Sequence, residues 1–266
     1  RAAEAPKLVY AHTPARYIWV PELDGRGQGP LARAASAMLK PLDRRRAAEP
    51  VAIAANSAFI AERVGWAWDR EATVIHPPID VARFAEARAT DETEDVLATL
   101  PADYLLGVSR FVPYKRLELV IDAGVASGLP VVLAGGGADE ARLRSYADDR
   151  GHPVTFVRDP SSTLLAALYR AAVALVFPAV EDFGIMPVEA MATGTPVVGN
   201  AVGGVAESVV DGVTGALVHE WSTAELTAAV ERAAAADRDA CVRRAYEFDR
   251  PVFEAEIAAW VAREVG

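Results

Sequence analysis

The sequence contains a single cysteine, and this scarcity excludes a fold held together by disulfide bonds. Cys241 lies in a segment with helical spacing, where a small buried thiol is the ordinary interpretation. No apolar run reaches the length of a membrane span, and no charged, apolar and small-residue signal opens the chain. These absences predict a globular protein of a reducing compartment, the cytoplasm.

The chain also lacks an excess of positive charge. Its 266 residues carry a formal net charge of −10, which argues against general nucleic-acid binding. The charge is uneven, since residues 1–70 hold 11 Lys and Arg against 7 Asp and Glu, whereas the remainder holds 16 against 30. A basic first part fits peripheral contact with an anionic membrane at its inner face, and it equally fits a solvated helix face.

The residues that suggest chemistry are concentrated late in the chain. An apolar run at 173–177 predicts a buried strand, and Pro187 predicts the first turn of a short helix that Gly194 ends. Glu189 is therefore expected in that first turn, near unpaired backbone N–H groups that favour an anion such as phosphate. Glu181 precedes the helix, with seven residues between the two glutamates.

Strand and helix patterns alternate along the whole second half. The strands are mostly apolar, which predicts a parallel sheet covered on both faces, with ligands at the carboxyl ends of its strands. The predicted strands are 104–109, 130–134, 153–157, 173–177, 196–199 and 215–218.

The first part predicts fewer elements. Pro41 interrupts a helical pattern at 31–49 that fits either interfacial membrane contact or packing on a sheet. Ser57 is expected to cap a helix that runs through residue 66, and the acidic stretch 88–100 reads as an exposed connection. The other predictions are strands at 7–11, 51–55 and 73–75 and a mobile loop at 20–30.

Glu181 and Glu189 resemble the E-x7-E pattern of retaining glycosyltransferases of family 4, the glycosyl transferases group 1. Four further matches stand in the family's order, and together they cover nearly the whole chain: HTP at 12–14, VIHPPID at 74–80, VSRFVPYK at 108–115 and AGGGADE at 134–140. The resemblance implies an α/β GT-B fold, with two Rossmann-like parallel-sheet domains facing across a cleft. HTPARYIW and FGIMPVEAMATG are similar to bacterial mannosyltransferases.

The resemblance divides the chain into three segments. Residues 1–88 are expected to form an acceptor-side domain, 89–247 a nucleotide-sugar donor domain, and 248–266 a last helix that crosses back to the acceptor domain. A whole GT-B acceptor domain opens with a strand and a glycine-rich loop, which this sequence lacks. The N-terminal domain is therefore expected to be incomplete, as a fragment, as a split-enzyme partner that needs a complementary N-terminal segment, or as a chain with its first part removed.

The resemblance also implies roles for charged residues. Arg110 and Lys115 would stabilise the diphosphate leaving group in place of a metal ion, although two surface cations flanking a turn are the alternative. Glu181 and His12 would contact the donor sugar, and Glu189 would bind the ribose. No Asp-x-Asp triad predicts a metal site, so neither a metal nor another cofactor is expected.

The remaining implied donor contacts come from loops at strand ends. The glycines would let the backbone approach the nucleotide, and Val157 with Arg158 holds the family's base-binding position. The full set is Ser109, Gly135, Gly136, Gly137, Val157, Arg158, Phe183, Gly184, Ile185 and Met186.

The predicted function is metal-independent, retaining transfer of a sugar from a nucleoside-diphosphate sugar to a glycan, a lipid-linked acceptor or a small molecule. Mannose from GDP-mannose is preferred. The alternatives are a UDP-sugar-dependent transferase, a nucleotide-sugar-binding part of a split or truncated enzyme without turnover alone, and, more distantly, a GT-B epimerase. No nucleic acid is expected as a partner.

Overall fold

A computed structural model describes residues 5–21, 29–88 and 90–266 of the chain. It has two compact units, unit 1 comprising Arg1–Pro78 with Pro251–Gly266 and unit 2 comprising Ile79–Arg250. The predicted loop at 20–30 falls largely on residues 22–28, which lie outside the described residues.

Unit 1 contains a parallel sheet of three described strands, β1 (Leu8–Ala11), β2 (Ala52–Ala55) and β3 (Thr73–Val74), in the order β1-β2-β3. Its first helices are α1 (Arg16–Trp19), α2 (Pro30–Ala47) and α3 (Ala58–Trp68). Ser57 caps α3 as predicted, because its side chain accepts a hydrogen bond from the N–H of Ile60.

Unit 2 contains six parallel strands in the order β6-β5-β4-β7-β8-β9. The strands are β4 (Leu105–Arg110), β5 (Val131–Gly136), β6 (Val154–Val157), β7 (Ala174–Phe177), β8 (Val197–Asn200) and β9 (Gly215–Val218). The helices are α4 (Val81–Ala85), α5 (Asp91–Ala98), α6 (Glu118–Ser127), α7 (Glu140–Arg150), α8 (Ser162–Ala171), α9 (Ile185–Ala192), α10 (Val205–Ser208), α11 (Thr223–Ala234) and α12 (Arg238–Tyr246).

The sheet of unit 2 is buried on both faces. Adjacent strand residues point to opposite sides, so Leu105 and Leu106 enter different hydrophobic clusters, as do Val132 and Leu133. The chain runs outward from β4 through β5 to β6 and then returns to the other side of β4 as β7. Such a reversal leaves a crevice at the carboxyl ends of the strands, where ligands of open α/β sheets bind.

Unit 2 begins earlier than the predicted boundary after residue 88. Val81 and Phe84 of α4 are buried in the same cluster as the β4 and β7 side chains, so these residues pack with unit 2. The stretch 88–100 does not connect the two units as predicted, because it lies within unit 2 and contains α5, where Thr90 and Thr93 form a reciprocal capping box. Most of its described residues are exposed or half-buried, as predicted.

The last helix, α13 (Arg250–Val265), supplies the rest of unit 1. Trp260 is buried with Ala54 of β2 and Ile75, and Phe253 packs beside them. The Phe253 ring meets Tyr10 of β1 edge-on, with ring centroids 5.7 Å apart. The sheet of unit 1 therefore packs against a helix from the far end of the chain.

Helix α2 is continuous across Pro41, the residue that was expected to interrupt its helical pattern. Pro41 lies inside the helix and does not end it. The turn that follows Pro41 is fixed by hydrogen bonds between Asp43 and residues outside α2. The Asp43 carboxylate accepts hydrogen bonds from the indole N–H groups of Trp19 and Trp68, at 2.6 and 2.7 Å. Among its described side chains, only Ser36 and Ala47 are buried. The choice between interfacial membrane contact and packing on a sheet stays open.

Candidate functional site

An open pocket of about 370 Å³ lies at the carboxyl ends of β4 and β5. Most of its lining comes from the last residues of these strands and from the loops that follow them, as parallel sheets favour. The lining residues are Val108, Ser109, Arg110, Lys115, Ala134, Gly135, Gly136, Asp159, Pro160, Leu165 and Met186.

Ser109 gives this pocket a polar group without a protein partner. The residue is only 8% exposed, and in the described part of the chain its Oγ has no hydrogen-bond partner. An unpaired buried hydroxyl costs about 1–3 kcal/mol, so such groups usually meet a water or a ligand. Ser109 lines the pocket, but its Oγ is itself buried, so a polar ligand atom reaches this hydroxyl only when the side chain turns toward the pocket.

The two predicted phosphate-binding cations differ in their surroundings. Arg110 ends β4, is exposed, and donates to the Tyr114 hydroxyl at 3.2 Å. Lys115 ends a short 3-10 turn, Pro113–Lys115, and is only 7% exposed, with its ammonium 5.3 Å from the Tyr114 ring centroid. Its Nζ donates to Glu181 Oε1, so Lys115 is not a solvated surface cation.

Glu181 is held in place by its own backbone. Its carbonyl oxygen accepts from the N–H of Gly204 at 2.9 Å. Gly203 has φ +101°, and a Cβ there would lie 2.8 Å from the same carbonyl oxygen. The loop after β8 therefore fixes the loop after β7, and the Glu181 carboxylate is directed to Lys115.

Gly135 and Gly137 have a structural role besides the close approach of backbone to the nucleotide that the resemblance implies, which stays a prediction. They have φ values of +134° and +154°, which favour glycine, and a Cβ would lie 1.9 Å from Ser109 O and 2.4 Å from Phe111 O, respectively. These glycines allow the end of β5 and the residue that follows it to lie directly against the backbone of Ser109 and Phe111. Gly135 and Gly136 both line the pocket, so a ligand can approach the backbone there.

Pro187 lies in the first turn of helix α9, as predicted, whereas Glu189 lies in the second turn and not in the first. Gly184, with φ +91°, is the N-cap, and Pro187 is the third helical residue. Proline is tolerated there because the first four N–H groups of a helix have no intrahelical acceptor. Glu189 is therefore not beside the unpaired N–H groups.

The Glu189 carboxylate instead faces the fully buried Tyr169, whose hydroxyl donates to Oε2 at 3.3 Å. Burial raises the pKa of Glu189, while the Tyr169 hydrogen bond and the charge of Arg83 act in the opposite direction. This carboxylate is the predicted ligand of the ribose.

The residues around the start of α9 separate into three environments. Phe183 is buried and packs against Phe248, with ring centroids 5.5 Å apart. Ile185 is 49% exposed, and Met186 lines the pocket. Of these predicted donor contacts, Met186 is the one whose side chain is at the pocket.

Arg158 is paired rather than free. Its guanidinium donates to both carboxylate oxygens of Glu140, at 2.8 Å to Oε1 and 3.0 Å to Oε2. This Arg158 pairing, together with Arg144, lowers the pKa of Glu140. Val157 ends β6 but is not part of the pocket lining.

His12 directly follows β1 in unit 1 and is exposed. Its ring meets Tyr10 edge-on, with ring centroids 5.4 Å apart. Tyr10 donates to the carbonyl of Ile75 at 2.9 Å, and burial raises the pKa of Tyr10 to about 12. The next residue, Thr13, accepts from the buried Arg63 at 2.7 Å, so the end of β1 carries several ordered polar side chains.

Asp159 and the apolar wall of the pocket were missed by the sequence reasoning. Val108, Ala134, Pro160 and Leu165 line the pocket beside Asp159. The strand-end pattern marks Asp159 as well, because it follows the end of β6 much as Arg110 ends β4. Glu140 was noted only as the end of the AGGGADE motif, without its pairing to Arg158.

Residues 5–21, 29–88 and 90–266 contain no group of three or more His, Cys, Asp or Glu side chains that could hold a metal ion. Over the same described ranges, no helix has the length and apolar content needed to cross a membrane. The prediction that no metal takes part stays a prediction.

Comparison with known proteins identifies relatives that match more than half of the chain. The chain is 39% identical over 168 residues to D-inositol 3-phosphate glycosyltransferases of Mycobacterium bovis and Mycobacterium tuberculosis. The match covers 57% of this chain and 34% of each relative. The chain thus spans about a third of the length of the curated relatives it matches.

Solved structures resemble more of the chain. Anabaena HepE in complex with UDP is 21% identical with a TM-score of 0.76, covering 97% of this chain and 72% of that one. Sucrose-phosphate synthase of Thermosynechococcus elongatus is also 21% identical, with a TM-score of 0.75 and coverage of 96% and 67%. These likenesses confirm the predicted fold class, GT-B with parallel-sheet α/β domains.

The family follows from a third comparison. Residues 91–248, more than half of the chain, match the model of the family described as glycosyl transferases group 1. This region contains the whole of the pocket and both glutamates of the E-x7-E pattern. The chain therefore belongs to the glycosyl transferases group 1 family.

Proposed function

We propose that this chain binds a nucleoside-diphosphate sugar in unit 2 and serves a metal-independent, retaining glycosyl transfer, with mannose from GDP-mannose as the preferred donor. The observation that carries the proposal is the pocket itself. It combines two cations, Arg110 and Lys115, an unpaired hydroxyl, Ser109, and an apolar wall, at the carboxyl ends of two parallel strands. A donor of this class offers a diphosphate, hydroxyl groups and a flat base to these features.

In this proposal Arg110 and Lys115 stabilise the negative charge that develops on the diphosphate as the bond to the sugar breaks. Preorganised cations of this kind commonly contribute a factor of about 100 or more to turnover. Glu181 accepts hydrogen bonds from sugar hydroxyls, which replace part of its contact with Lys115. Glu189 accepts from the ribose hydroxyls, and His12 keeps the role toward the donor sugar that the family resemblance implies.

The test is a calorimetric titration of the full chain with GDP and UDP side by side, followed by the variants Arg110→Ala and Lys115→Ala. We expect nucleoside diphosphate to bind, and each variant to weaken that binding. Where transfer can be measured, turnover should fall about 100-fold or more in each variant. The control is Arg232→Ala, which changes an exposed cation of α11 outside the pocket lining.

The preference for mannose is supported by the likeness of HTPARYIW and FGIMPVEAMATG to bacterial mannosyltransferases. A UDP-sugar is the rival donor, because HepE has been crystallised with UDP and with UDP-glucose. Binding of UDP in preference to GDP would overturn the GDP-mannose proposal and leave the transferase proposal intact.

The coverage of relatives favours one second candidate. Since the chain spans 34% of its curated relatives, unit 2 could act as the nucleotide-sugar-binding part of an enzyme that turns over only with a further acceptor-side segment. Transfer assays with and without such a segment added in trans distinguish the two. Activity that appears only on addition supports the split form, whereas activity of the chain alone supports the first proposal.

A further inference from the structure

Tyr114 contacts both cations of the pocket. Its hydroxyl accepts a hydrogen bond from Arg110 Nη2 at 3.2 Å. The centroid of its ring lies 5.3 Å from Lys115 Nζ, which is within the range of a cation–π contact. Tyr114 is not part of the pocket lining, whereas both cations are. Any influence of Tyr114 on the pocket therefore passes through these two side chains.

The backbone around Tyr114 is fixed on both sides. Phe111 is fully buried, and its N–H donates to Gly136 O at 2.8 Å, which ties the start of the loop to the end of β5. The N–H of Lys115 donates to Val112 O at 3.0 Å and closes the 3-10 turn that contains Tyr114. The Tyr114 side chain is 42% exposed, but it starts from a backbone position that the fold determines.

The contact with Tyr114 holds the Arg110 guanidinium without neutralising it. In the part of the chain that the structure describes, the Tyr114 hydroxyl is the only group that accepts a hydrogen bond from the Arg110 side chain. Arg158, by contrast, donates to both oxygens of the Glu140 carboxylate, which offsets its charge. A hydroxyl is an uncharged acceptor, so Arg110 keeps its full positive charge and most of its N–H donors for an anionic ligand.

An exposed arginine benefits from being held before the ligand arrives. A free arginine side chain loses considerable rotamer entropy when it is fixed on a ligand. Arg110 is exposed at the end of β4, so burial does not restrict it. The hydrogen bond to Tyr114 restricts the guanidinium in advance, and such preorganisation strengthens binding. Lys115 is already fixed by Glu181, so the ring of Tyr114 adds less there.

We propose that Tyr114 is a positioning residue that preorganises Arg110, and to a lesser degree Lys115, for the diphosphate of the donor. Tyr114 does not touch the diphosphate in this proposal, because it lies outside the pocket lining. This inference rests on the proposed function, and it identifies what orients the exposed cation of that site.

The test is a calorimetric titration of the full chain with GDP and with UDP, and the nucleotide that binds more tightly is then used for the variants. Tyr114→Phe keeps the ring and removes only the hydroxyl, so it should weaken binding about 5-fold, the usual effect of losing one hydrogen bond. Tyr246→Phe is the matched control, because Tyr246 is also 42% exposed but lies in α12, outside the pocket lining. The control should leave the affinity within about twofold.

A double-mutant cycle distinguishes positioning from a general structural effect. Arg110→Ala alone should weaken binding. Adding Tyr114→Phe to it should change the affinity less than about twofold, because the hydroxyl then has no guanidinium to orient. Tyr114→Leu, which removes the ring as well, should bind about twofold or more weaker than Tyr114→Phe, because the cation–π contact with Lys115 is also lost.

The outcomes separate this inference from the proposed function. Normal binding by Tyr114→Phe, together with weakened binding by Arg110→Ala, would overturn the positioning role and leave the donor site in place. An undiminished effect of Tyr114→Phe in the Arg110→Ala background would also overturn it, since the hydroxyl would then act on the ligand or the fold directly. Binding of neither nucleotide, or normal binding by Arg110→Ala, would overturn the proposed function and this inference with it.

Discussion

Lys115 and Glu181 are in direct contact in a nearly buried site, and the side chains are only 8% and 17% exposed. A buried ion pair is costly to desolvate, but removing one partner is more costly, because the other charge is left uncompensated. The ligand-free site therefore depends on both residues for stability as well as for the proposed chemistry.

The first prediction concerns this pair. Lys115→Met should lower the free energy of unfolding by about 3 kcal/mol, because it leaves the Glu181 carboxylate buried and unpaired. Adding Glu181→Leu should restore a large part of the loss. Urea denaturation of the two variants measures the difference, and Arg110→Met, which removes an exposed cation, is the matched control with little effect. Equal stability of the single and double variants would show that the pair is not coupled.

Glu189 carries the second prediction, which concerns pH. Its pKa is raised by burial, so in the folded protein it takes up a proton at a higher pH than an ordinary glutamate. The fold favours the protonated form, and this contribution to stability is lost as the pH rises from the ordinary pKa of glutamate through the raised one. Ribose binding requires the ionised form, so GDP-mannose affinity should fall on acidification, starting above the ordinary range of glutamate.

Tyr169→Phe sharpens this test. The Tyr169 hydroxyl is a hydrogen-bond donor that lowers the pKa of Glu189, so its removal should move the acid limb of GDP-mannose binding to a higher pH. GDP-mannose is the right ligand because its esterified diphosphate stays ionised over this range. Glu189→Gln should abolish the acid limb. If the limb persisted in Glu189→Gln, another group would be responsible for it.

At the scale of elements, the close parallel pairing of the ends of β4 and β5 fixes the pocket. Gly135 and Gly137 pass so close to Ser109 and Phe111 that no side chain fits between the two backbones. This pairing brings Ser109, Arg110 and Gly136 to one edge of the sheet, and the pocket is formed by that edge.

The third prediction tests this close approach of the two backbones. Gly135→Ala should destabilise the protein by more than about 3 kcal/mol, since its Cβ would lie 1.9 Å from Ser109 O in a strained conformation. Gly128→Ala is the matched control, because Gly128 also has positive φ, at +73°, but has nothing within 4 Å of a Cβ. The control should cost only about 1 kcal/mol. Similar losses in the two variants, measured by urea denaturation, would remove the steric argument.

Elements were more predictable from the sequence than side-chain partners. The six strands of unit 2 were expected within two residues at each end, because buried parallel strands are short continuous apolar runs. Glu189 was expected one turn too early because a proline is tolerated at any of the first helical positions and so does not fix the first residue of α9. Helix α5 was not predicted because its Thr90–Thr93 capping box has hydroxyls where a glutamate is the usual signal.

The partners within the site depend on distant loops. Nothing local in the sequence directs Lys115 to Glu181 or Arg158 to Glu140, since these pairs join segments that only the folded sheet brings together. The strand-end rule located Ser109 and Arg110, and it would have located Asp159 if it had been applied to the end of β6.

At the scale of the whole molecule, the fourth prediction uses the division into two units. Trp260→Ala should destabilise unit 1 by about 3–5 kcal/mol, because the ring is 3% exposed and packs on β2. All proposed nucleotide contacts other than His12 lie in unit 2, so GDP affinity should change less than about twofold. Thermal unfolding and calorimetric titration measure the two effects, with Val261→Ala, 41% exposed on the same helix, as the control. A large loss of GDP affinity would show that the donor site depends on unit 1.

The return of α13 to unit 1 has a consequence for the order of events during translation. Unit 2 is one continuous stretch, Ile79–Arg250, and its six strands can associate as soon as they leave the ribosome. The cluster of Ala54 and Ile75 must wait for Trp260, which is synthesised after all of unit 2. Nascent unit 1 therefore exposes an apolar sheet face until synthesis passes residue 260, and in that interval it is the part of the chain on which a chaperone would act.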